Sequence, residues 1–191
     1  AALIGCGVTT GIGAVIHTAK VEPGSTVAVI GCGGIGLSAI NGAALAGAAR
    51  IIAVDMVPSK LELARKFGAT DVVDASDGEA VGKVIEMTGG GVHYSFEAIG
   101  LKATAEQAFQ MLRAGGTATV IGMIPPGQMV SLHGVDAGRR GVCGTWGLEG
   151  LVSGSKQKEC SVHDRRGLQA SSYVDCEQGE RKANVKLCVC V

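Results

Sequence analysis

A glycine-rich turn near the start of the chain constrains its fold more than any other feature. The sequence "VIGCGGIG" at residues 29–36 contains the spacing G-x-G-x-x-G, formed by Gly31, Gly33 and Gly36. Because 31 of the 191 residues are glycine, this spacing alone is weak support for a nucleotide site. The residues on either side of the turn decide whether it can bind a phosphate group.

The turn lies between a predicted strand and a predicted helix. The apolar run "STVAVIG" (25–31) predicts a buried strand, and "IGLSAINGAALAG" (35–47) predicts a helix whose small residues allow close packing on a sheet. In this context Gly31 permits a tight turn, Gly33 lets a pyrophosphate approach the backbone, and Gly36 lets the helix pack on the strand. The N–H groups at the helix N-terminus favour such an anion.

Strands and helices continue to alternate along the chain. Strands are also predicted at residues 50–55, 70–74, 92–100 and 117–123, and helices at 9–20, 58–68, 77–90 and 102–116. The helix at 77–90 is expected to begin with a capping box formed by Ser76 and Glu79. Alternation of this kind predicts parallel strands with right-handed crossovers, and therefore an α/β, doubly wound parallel sheet of the Rossmann type. Ligands bind such a sheet at the carboxyl ends of its strands.

An acidic residue ends the predicted second strand. Asp55 can accept hydrogen bonds from the ribose hydroxyls of NAD, and it would repel the 2′-phosphate of NADP. Lys60 is the one basic residue that follows closely. These residues favour NAD as the cofactor. They also leave a second class of protein open, the S-adenosylmethionine-dependent methyltransferases, which combine a glycine-rich first turn with an acid at the end of the second strand.

The chain changes character near residue 136. Only Cys6 and Cys32 of its seven cysteines precede that position, and an odd number without regular spacing argues against a disulfide framework. The sequence "GRRGVCGTWG" (138–147) favours a sixth strand with a glycine turn. The rest lacks periodicity and is typical of a segment that is frameshifted or disordered. We expect a NAD-binding domain at 1–136 and an atypical, irregular C-terminal tail at 137–191.

The overall composition excludes several classes of partner. Charged residues make up 18% of the chain, the formal net charge is zero and aromatic residues make up 3%. This balance gives no basic surface for nucleic acid or for a membrane. No apolar run approaches the ~20 residues of a membrane span, and the first residues lack the basic region of a signal peptide. We expect a cytoplasmic protein.

A longer string of motifs resembles a known family. Residues 3–55, "LIGCGVTTGIGAVIHTAKVEPGSTVAVIGCGGIGLSAINGAALAGAARIIAVD", resemble the zinc-containing alcohol dehydrogenases of the medium-chain dehydrogenase/reductase superfamily. The sequences "KLELARKFGATDVVD", "GGVHYSFEAIG" and "MLRAGGTATVIGMIPPG" continue the resemblance to about residue 136. It is nearest the class III-like branch, whose members oxidise primary alcohols or hydroxymethyl-thiol adducts. The resemblance implies NAD and zinc as cofactors, a small-molecule alcohol as substrate and a homo-oligomeric enzyme.

The resemblance also implies roles for individual residues. Cys6 matches the third ligand of the catalytic zinc, and Thr10 matches a residue that contacts the nicotinamide ring. The remaining matches are the pyrophosphate turn at Gly33, Gly34 and Ile35, the adenosine-ribose contacts at Asp55 and Lys60, and cleft contacts at Ala98, Ile99 and Ile121.

The catalytic zinc of this family needs more ligands than the matched residues supply. A catalytic zinc takes three protein ligands and keeps one open position. The resemblance places the other ligands upstream of Ala1, and no further residue of this chain matches a catalytic role. We therefore expect this chain alone to be inactive. A non-catalytic nucleotide-binding module or a zinc-free reductase relative is the alternative.

Other reactive side chains have simpler interpretations. Cys32 is expected to be a tolerated small side chain within the glycine turn. His17, His93 and His133 are expected to be structural or to face solvent. Glu97 ends the fourth predicted strand at the ligand-binding edge, so it is either a functional group or a hydrogen-bonded structural carboxylate.

Overall fold

A computed structural model describes residues 4–125, 128, 130 and 131, together with the backbone of four short strands at 141–145, 159–163, 169–173 and 186–188. The nine strands that it describes are β1 Thr26–Ile30, β2 Arg50–Asp55, β3 Asp71–Asp74, β4 Val92–Glu97, β5 Leu112–Val120, β6 Gly141–Thr145, β7 Glu159–His163, β8 Gln169–Tyr173 and β9 Lys186–Cys188. Seven of them form one sheet in the order β3-β2-β1-β4-β5-β6-β9, in which every neighbouring pair is parallel. The pair β7 and β8 is antiparallel and separate.

The helices connect the strands and cover the sheet. They are α1 Thr9–Gly13, α2 Gly34–Leu45, α3 Pro58–Lys66, α4 Ala80–Thr88 and α5 Lys102–Gln110. Two π-helical segments, Ile4–Val8 and Ala14–Ala19, precede and follow α1 without a break. In the described part of the chain, no helix combines the length and the apolar character that a membrane span requires.

The strand order places β1 at the point where the chain changes direction across the sheet. From β1 the chain proceeds outward to β2 and β3, and then returns to β4 on the other side of β1. The predicted doubly wound parallel sheet is therefore confirmed. In such a sheet the crevice for a ligand opens outside the carboxyl ends of the strands on either side of this switch point. Here those ends are Ile30, Asp55 and Glu97.

Both faces of the sheet are buried. Val27 and Val29 of β1 belong to one apolar cluster, which also contains Ile40 of α2. Ala28 and Ile30 belong to a second cluster on the opposite face, because successive side chains of a strand point to opposite sides. A strand that is buried on both faces has a continuous apolar sequence, which is why β1 and β2 could be predicted within one residue at each end.

Two glycines set the relative direction of α1 and α2. A β-carbon added to Gly11 would lie 2.5 Å from the Ile35 carbonyl oxygen, near the start of α2. A β-carbon added to Gly42, late in α2, would lie 3.1 Å from the Cα of Ile12 and 3.3 Å from the Cβ of Val15, one turn after Gly11. The two helical segments therefore run in roughly the same direction at close distance. Residues that precede Gly11 lie toward the N-terminus of α2, at the carboxyl edge of the sheet.

The boundary between α5 and β5 differs from the prediction. The helix was predicted over 102–116, but it ends at Gln110, and β5 already begins at Leu112. The Val92 N–H donates a hydrogen bond to the Met111 oxygen at 2.9 Å, and Val92 pairs with Leu112. Pairing between distant segments thus overrides the local helical pattern.

The predicted capping box of α4 is wrong. The helix begins at Ala80, and its N-cap residue Glu79 makes no side-chain capping hydrogen bond. Asp74 and Asp77 organise the preceding loop instead. Asp74 Oδ1 accepts a hydrogen bond from the Ser76 N–H at 2.8 Å, and Asp77 Oδ1 accepts one from the Glu79 N–H at 3.0 Å. Aspartate side chains commonly accept such bonds from the backbone two residues onward.

The predicted sixth strand is confirmed by β6, which pairs with β5. The division of the chain at residues 136 and 137 stays a prediction, because most of the tail lies outside the described residues. His133 lies outside them as well.

Candidate functional site

The inner side of the glycine turn packs tightly against neighbouring parts of the chain. Gly31 has a φ of +92°, and its N–H donates a hydrogen bond to the Val54 oxygen at 2.8 Å. A β-carbon added to Gly31 would lie 2.5 Å from Cγ1 of Ile99. A β-carbon added to Gly36 would lie only 1.7 Å from the Gly31 oxygen. These two glycines are therefore required by the packing of α2 on β1 and β4.

The outer side of the turn is open. Gly33 and Gly34 are exposed, and apart from neighbouring residues in the chain no described residue lies within 4 Å of a β-carbon added to either one. Gly33 has extended backbone geometry, and its oxygen accepts the Leu37 N–H at 2.8 Å as α2 begins. The first N–H groups of a helix have no partner within the helix. A phosphate group can therefore approach both the glycine backbone and the positive end of α2, as a dinucleotide requires. Ile35, the next residue, is half-buried against the core.

Asp55 connects the end of β2 to the glycine turn. Its Oδ2 accepts a hydrogen bond from the Cys32 N–H at 2.8 Å, and its Oδ1 accepts one from the Val57 N–H at 2.9 Å. The ammonium of Lys60, itself half exposed, lies 4.0 Å from Oδ2. An ionised carboxylate offers about four acceptor positions, so two protein hydrogen bonds leave capacity for the hydroxyls of a ribose. The geometry fits the adenosine side of NAD.

Cys32 is buried inside the turn, and its thiol is unreactive. Its Sγ lies 3.9 Å from the Val54 oxygen. Burial, followed by the negative charge of Asp55, raises the pKa of the Cys32 thiol to about 12, although Lys60 acts in the opposite direction. The side chain therefore remains a neutral thiol near pH 7, in agreement with the prediction of a tolerated small residue.

The ends of β4 and β5 form the other side of the site. The Ala98 N–H donates to the Ile30 oxygen at 2.9 Å, and this bond holds the turn after β4 against the end of β1. Ile99 is 47% exposed at the mouth of the site. Ile121 is buried, and its N–H donates to the Glu97 oxygen at 2.8 Å. Ala98 and Ile99 thus lie beside the glycine turn, whereas the Ile121 side chain belongs to the core.

Glu97 is fully buried and hydrogen-bonded. Its Oε1 accepts hydrogen bonds from the Ile99 N–H at 2.9 Å, the Gly100 N–H at 2.8 Å and the Thr104 hydroxyl at 2.7 Å. A ligand in the crevice cannot touch this carboxylate, because it has no accessible surface. Of the two interpretations of Glu97, the structure supports the hydrogen-bonded carboxylate.

Cys6 and Thr10 lie on the helical segment that packs along α2. Cys6 is exposed on the first π-helical turn, and Thr10 is half-buried on α1. Both precede Gly11, so both lie toward the carboxyl edge of the sheet. Among the described residues, no group of three His, Cys, Asp or Glu side chains could hold a metal ion. Cys6 can therefore supply one zinc ligand, but these residues do not complete a zinc site.

The two histidines whose side chains the structure describes, His17 and His93, lie outside the site. His17 is exposed near the end of the second π-helical segment. The Nδ1 of His93 accepts a hydrogen bond from the Thr26 N–H at 3.1 Å, so this ring links β4 to the start of β1. Both residues agree with the structural or solvent-facing interpretation.

Two exposed apolar residues at the site were missed by the sequence analysis. Met56 follows Asp55 and is 64% exposed, and Met123 follows the end of β5 and is 80% exposed. Large apolar side chains that are exposed beside a crevice suit the flat faces of nucleotide rings. The signal was available, because Met56 directly follows the predicted strand at 50–55 and Met123 is the last residue of the predicted strand at 117–123.

Comparison with known proteins gives one matching family model and many relatives. The family model described as "Zinc-binding dehydrogenase" matches residues 34–159. The chain is 52% identical over 133 residues to a protein of Schizosaccharomyces pombe named "Probable S-(hydroxymethyl)glutathione dehydrogenase 1", and the match covers 69% of this chain and 35% of that protein. The chain thus spans about a third of the length of this relative.

Solved structures share the fold at higher coverage of this chain. Benzyl alcohol dehydrogenase from Acinetobacter calcoaceticus matches with a TM-score of 0.71 and 37% sequence identity, over 74% of this chain and 40% of that chain. A zinc-binding dehydrogenase from Sinorhizobium meliloti 1021, solved with NADP bound, matches with a TM-score of 0.68 and 32% identity, over 72% of this chain and 41% of that one.

Proposed function

Because the chain belongs to the zinc-binding dehydrogenase family, we propose that it forms the NAD-binding part of a zinc-dependent alcohol dehydrogenase. The whole protein would transfer a hydride from a primary alcohol or a hydroxymethyl-thiol adduct to NAD. The observation that carries this proposal is the open backbone of Gly33 and Gly34 at the N-terminus of α2, with the Asp55 carboxylate at the end of the neighbouring strand.

Each side of the site would hold one part of the cofactor. The N–H groups at Gly34 and Ile35 would receive the pyrophosphate, and Asp55 would accept hydrogen bonds from the adenosine ribose, with Lys60 beside it. Ala98 and Ile99 would contact the nicotinamide half from the β4 side, and Thr10 would contact it from α1. The cofactor, when bound, supplies the hydride acceptor, and the protein orients it.

Cys6 would be one of the protein ligands of a catalytic zinc. Such a zinc supplies Lewis acidity toward the oxygen of the alcohol. Since the described residues provide a single candidate ligand, the proposal assigns catalysis to the whole protein and no chemical step to this chain alone.

The preference for NAD over NADP rests on Asp55. The Asp55 carboxylate would repel a 2′-phosphate on the adenosine ribose. The ammonium of Lys60, which is half exposed, lies 4.0 Å from Oδ2 of Asp55. A structural neighbour was solved with NADP bound, so the preference for NAD is proposed for this chain on the strength of Asp55 and not for every protein of this fold. The proposal also includes a cytoplasmic location and a homo-oligomeric assembly without nucleic acid or membrane partners, on the support of the composition and the family resemblance.

A non-catalytic nucleotide-binding module is the second candidate. The observation that favours it is that, among the described residues, no group of three His, Cys, Asp or Glu side chains could hold a metal ion. Zinc-dependent turnover distinguishes the two candidates.

The first prediction concerns turnover. The 191-residue chain, supplied with zinc and NAD, is expected to form no NADH from primary alcohols or S-(hydroxymethyl)glutathione, because one thiolate cannot fix a zinc site. The longest product of its gene is expected to form NADH, and Cys6→Ser in that product to abolish turnover while leaving NADH binding intact.

Absorbance at the NADH band measures all of these reactions. Turnover by the 191-residue chain that disappears in Cys6→Ser would show that the chain already holds a complete catalytic site. NADH binding without turnover in the longest gene product would support the non-catalytic module.

A further inference from the structure

We propose that Glu97 is a positioning residue for the cofactor. In this proposal its buried carboxylate holds the turn at residues 98–100 in the shape that receives the nicotinamide half of NAD. The inference rests on the proposed function, and it assigns to Glu97 a role that acts through the turn and not through contact with the ligand.

The hydrogen bonds of Glu97 are concentrated on one short segment. Its Oε1 accepts the N–H groups of Ile99 and Gly100, at 2.9 and 2.8 Å, and both belong to the turn that follows β4. The Thr104 hydroxyl donates to the same oxygen at 2.7 Å from the first turn of α5. A single carboxylate oxygen thus fixes the turn and ties it to the next helix.

A second turn closes over the same carboxylate. A β-carbon added to Gly122 would lie 2.1 Å from the Gly100 nitrogen and 2.7 Å from Oε2 of Glu97. Gly100 has a φ of +91°, and a β-carbon there would lie 2.6 Å from the Met123 oxygen. The turns after β4 and β5 are therefore packed backbone against backbone with the Glu97 side chain beneath them. The Glu97 side chain therefore supports the part of the crevice wall that these two turns form.

The other oxygen of Glu97 is buried at a cost to stability. Within the described residues, Oε2 is buried and has no hydrogen-bond partner. A buried polar atom without a partner costs stability. A functional site is one of the places where proteins keep such a local cost.

The position of Glu97 in the sheet assigns its effect to one half of the cofactor. Glu97 ends β4 and Asp55 ends β2, and these strands lie on opposite sides of β1. A dinucleotide that crosses the switch point at β1 has its adenosine on the Asp55 side and its nicotinamide on the Glu97 side. Loss of Glu97 should therefore lower the affinity for NADH and leave the affinity for adenosine monophosphate (AMP) unchanged, because AMP would occupy the Asp55 side alone.

The experiment measures the dissociation constants of NADH and AMP by calorimetry for the 191-residue chain and its variants. Glu97→Ala leaves two turn N–H groups without an acceptor, and we expect NADH to bind about tenfold more weakly while AMP affinity stays within about twofold. Glu97→Gln keeps an acceptor oxygen, and we expect it to restore NADH affinity to within about threefold of the parent. Glu86→Ala, which removes an exposed carboxylate on α4, is the matched control with both affinities unchanged.

The outcomes separate this inference from the function on which it rests. A parent chain that does not bind NADH overturns the proposed function. Two results overturn the role of Glu97 if the parent chain binds NADH. In one, Glu97→Ala binds NADH as tightly as the parent does; in the other, Glu97→Ala loses affinity for NADH and for AMP by the same factor. If Glu97→Ala does not fold by circular dichroism, Thr104→Val decides, because it removes one donor to Oε1. We expect Thr104→Val to bind NADH about threefold more weakly and AMP with unchanged affinity. An unchanged affinity for NADH in this variant would overturn the role of Glu97.

Discussion

At the scale of single residues, Asp55 connects the fold to the proposed binding of NAD. Its carboxylate accepts the N–H groups of Cys32 and Val57 and remains at the edge of the crevice. The position of Asp55 at the end of β2 could be predicted from the sequence, because it follows a clear apolar run. The two hydrogen bonds could not, since they depend on how two separate turns meet in space.

The residue-scale prediction concerns the contribution of Asp55. Asp55→Ala should weaken the binding of NADH by about 1.5–3 kcal/mol, because it removes a charge-assisted acceptor for the ribose hydroxyls. It should also reduce the difference in affinity between NADH and NADPH. Asp55→Asn, which retains one acceptor oxygen for the backbone, separates this effect from a disturbed turn. Fluorescence titration measures the affinities. An unchanged ratio of NADH to NADPH affinity in both variants would show that the discriminating group lies elsewhere.

At the scale of elements, the connection from β1 to α2 combines a closed and an open side. Gly36 faces the Gly31 oxygen, whereas Gly33 faces open space. The roles of these glycines were predicted from the strand that precedes them and the helix that follows. The end of α5 was not predictable in the same way, because Leu112 continues the local helical pattern. Its pairing with Val92, a contact distant in sequence, decides the boundary.

The element-scale prediction uses the same substitution on the two sides of this turn. Gly33→Val should leave the fold intact and abolish NADH binding, because the side chain enters the space that a pyrophosphate needs. Gly36→Val should lower the free energy of unfolding by more than about 3 kcal/mol, because even its β-carbon overlaps the Gly31 oxygen. Chemical denaturation and calorimetry measure the two effects. A Gly33→Val variant that binds NADH like the parent would show that the phosphate site is elsewhere.

At the scale of the whole molecule, strand alternation was sufficient to predict the sheet. Few topologies remain once parallel strands are joined by right-handed crossovers, and the observed order around β1 is one of them. The residues proposed to contact the nicotinamide and the zinc, such as Thr10 and Cys6, were suggested by family resemblance. No pattern of periodicity or spacing indicates them. The substrate-binding residues and the remaining zinc ligands could not be identified, because the described residues contain no group of three His, Cys, Asp or Glu side chains that could hold a metal ion.

The central claim is that this chain binds NAD across the carboxyl edge of β1, and calorimetric titration of the 191-residue chain with NADH and NADPH tests it most directly. The account predicts saturable binding of one NADH per chain, tighter than NADPH by about tenfold or more, because the Asp55 carboxylate opposes a 2′-phosphate. Absence of saturable NADH binding by the folded chain, or tighter binding of NADPH, would contradict it.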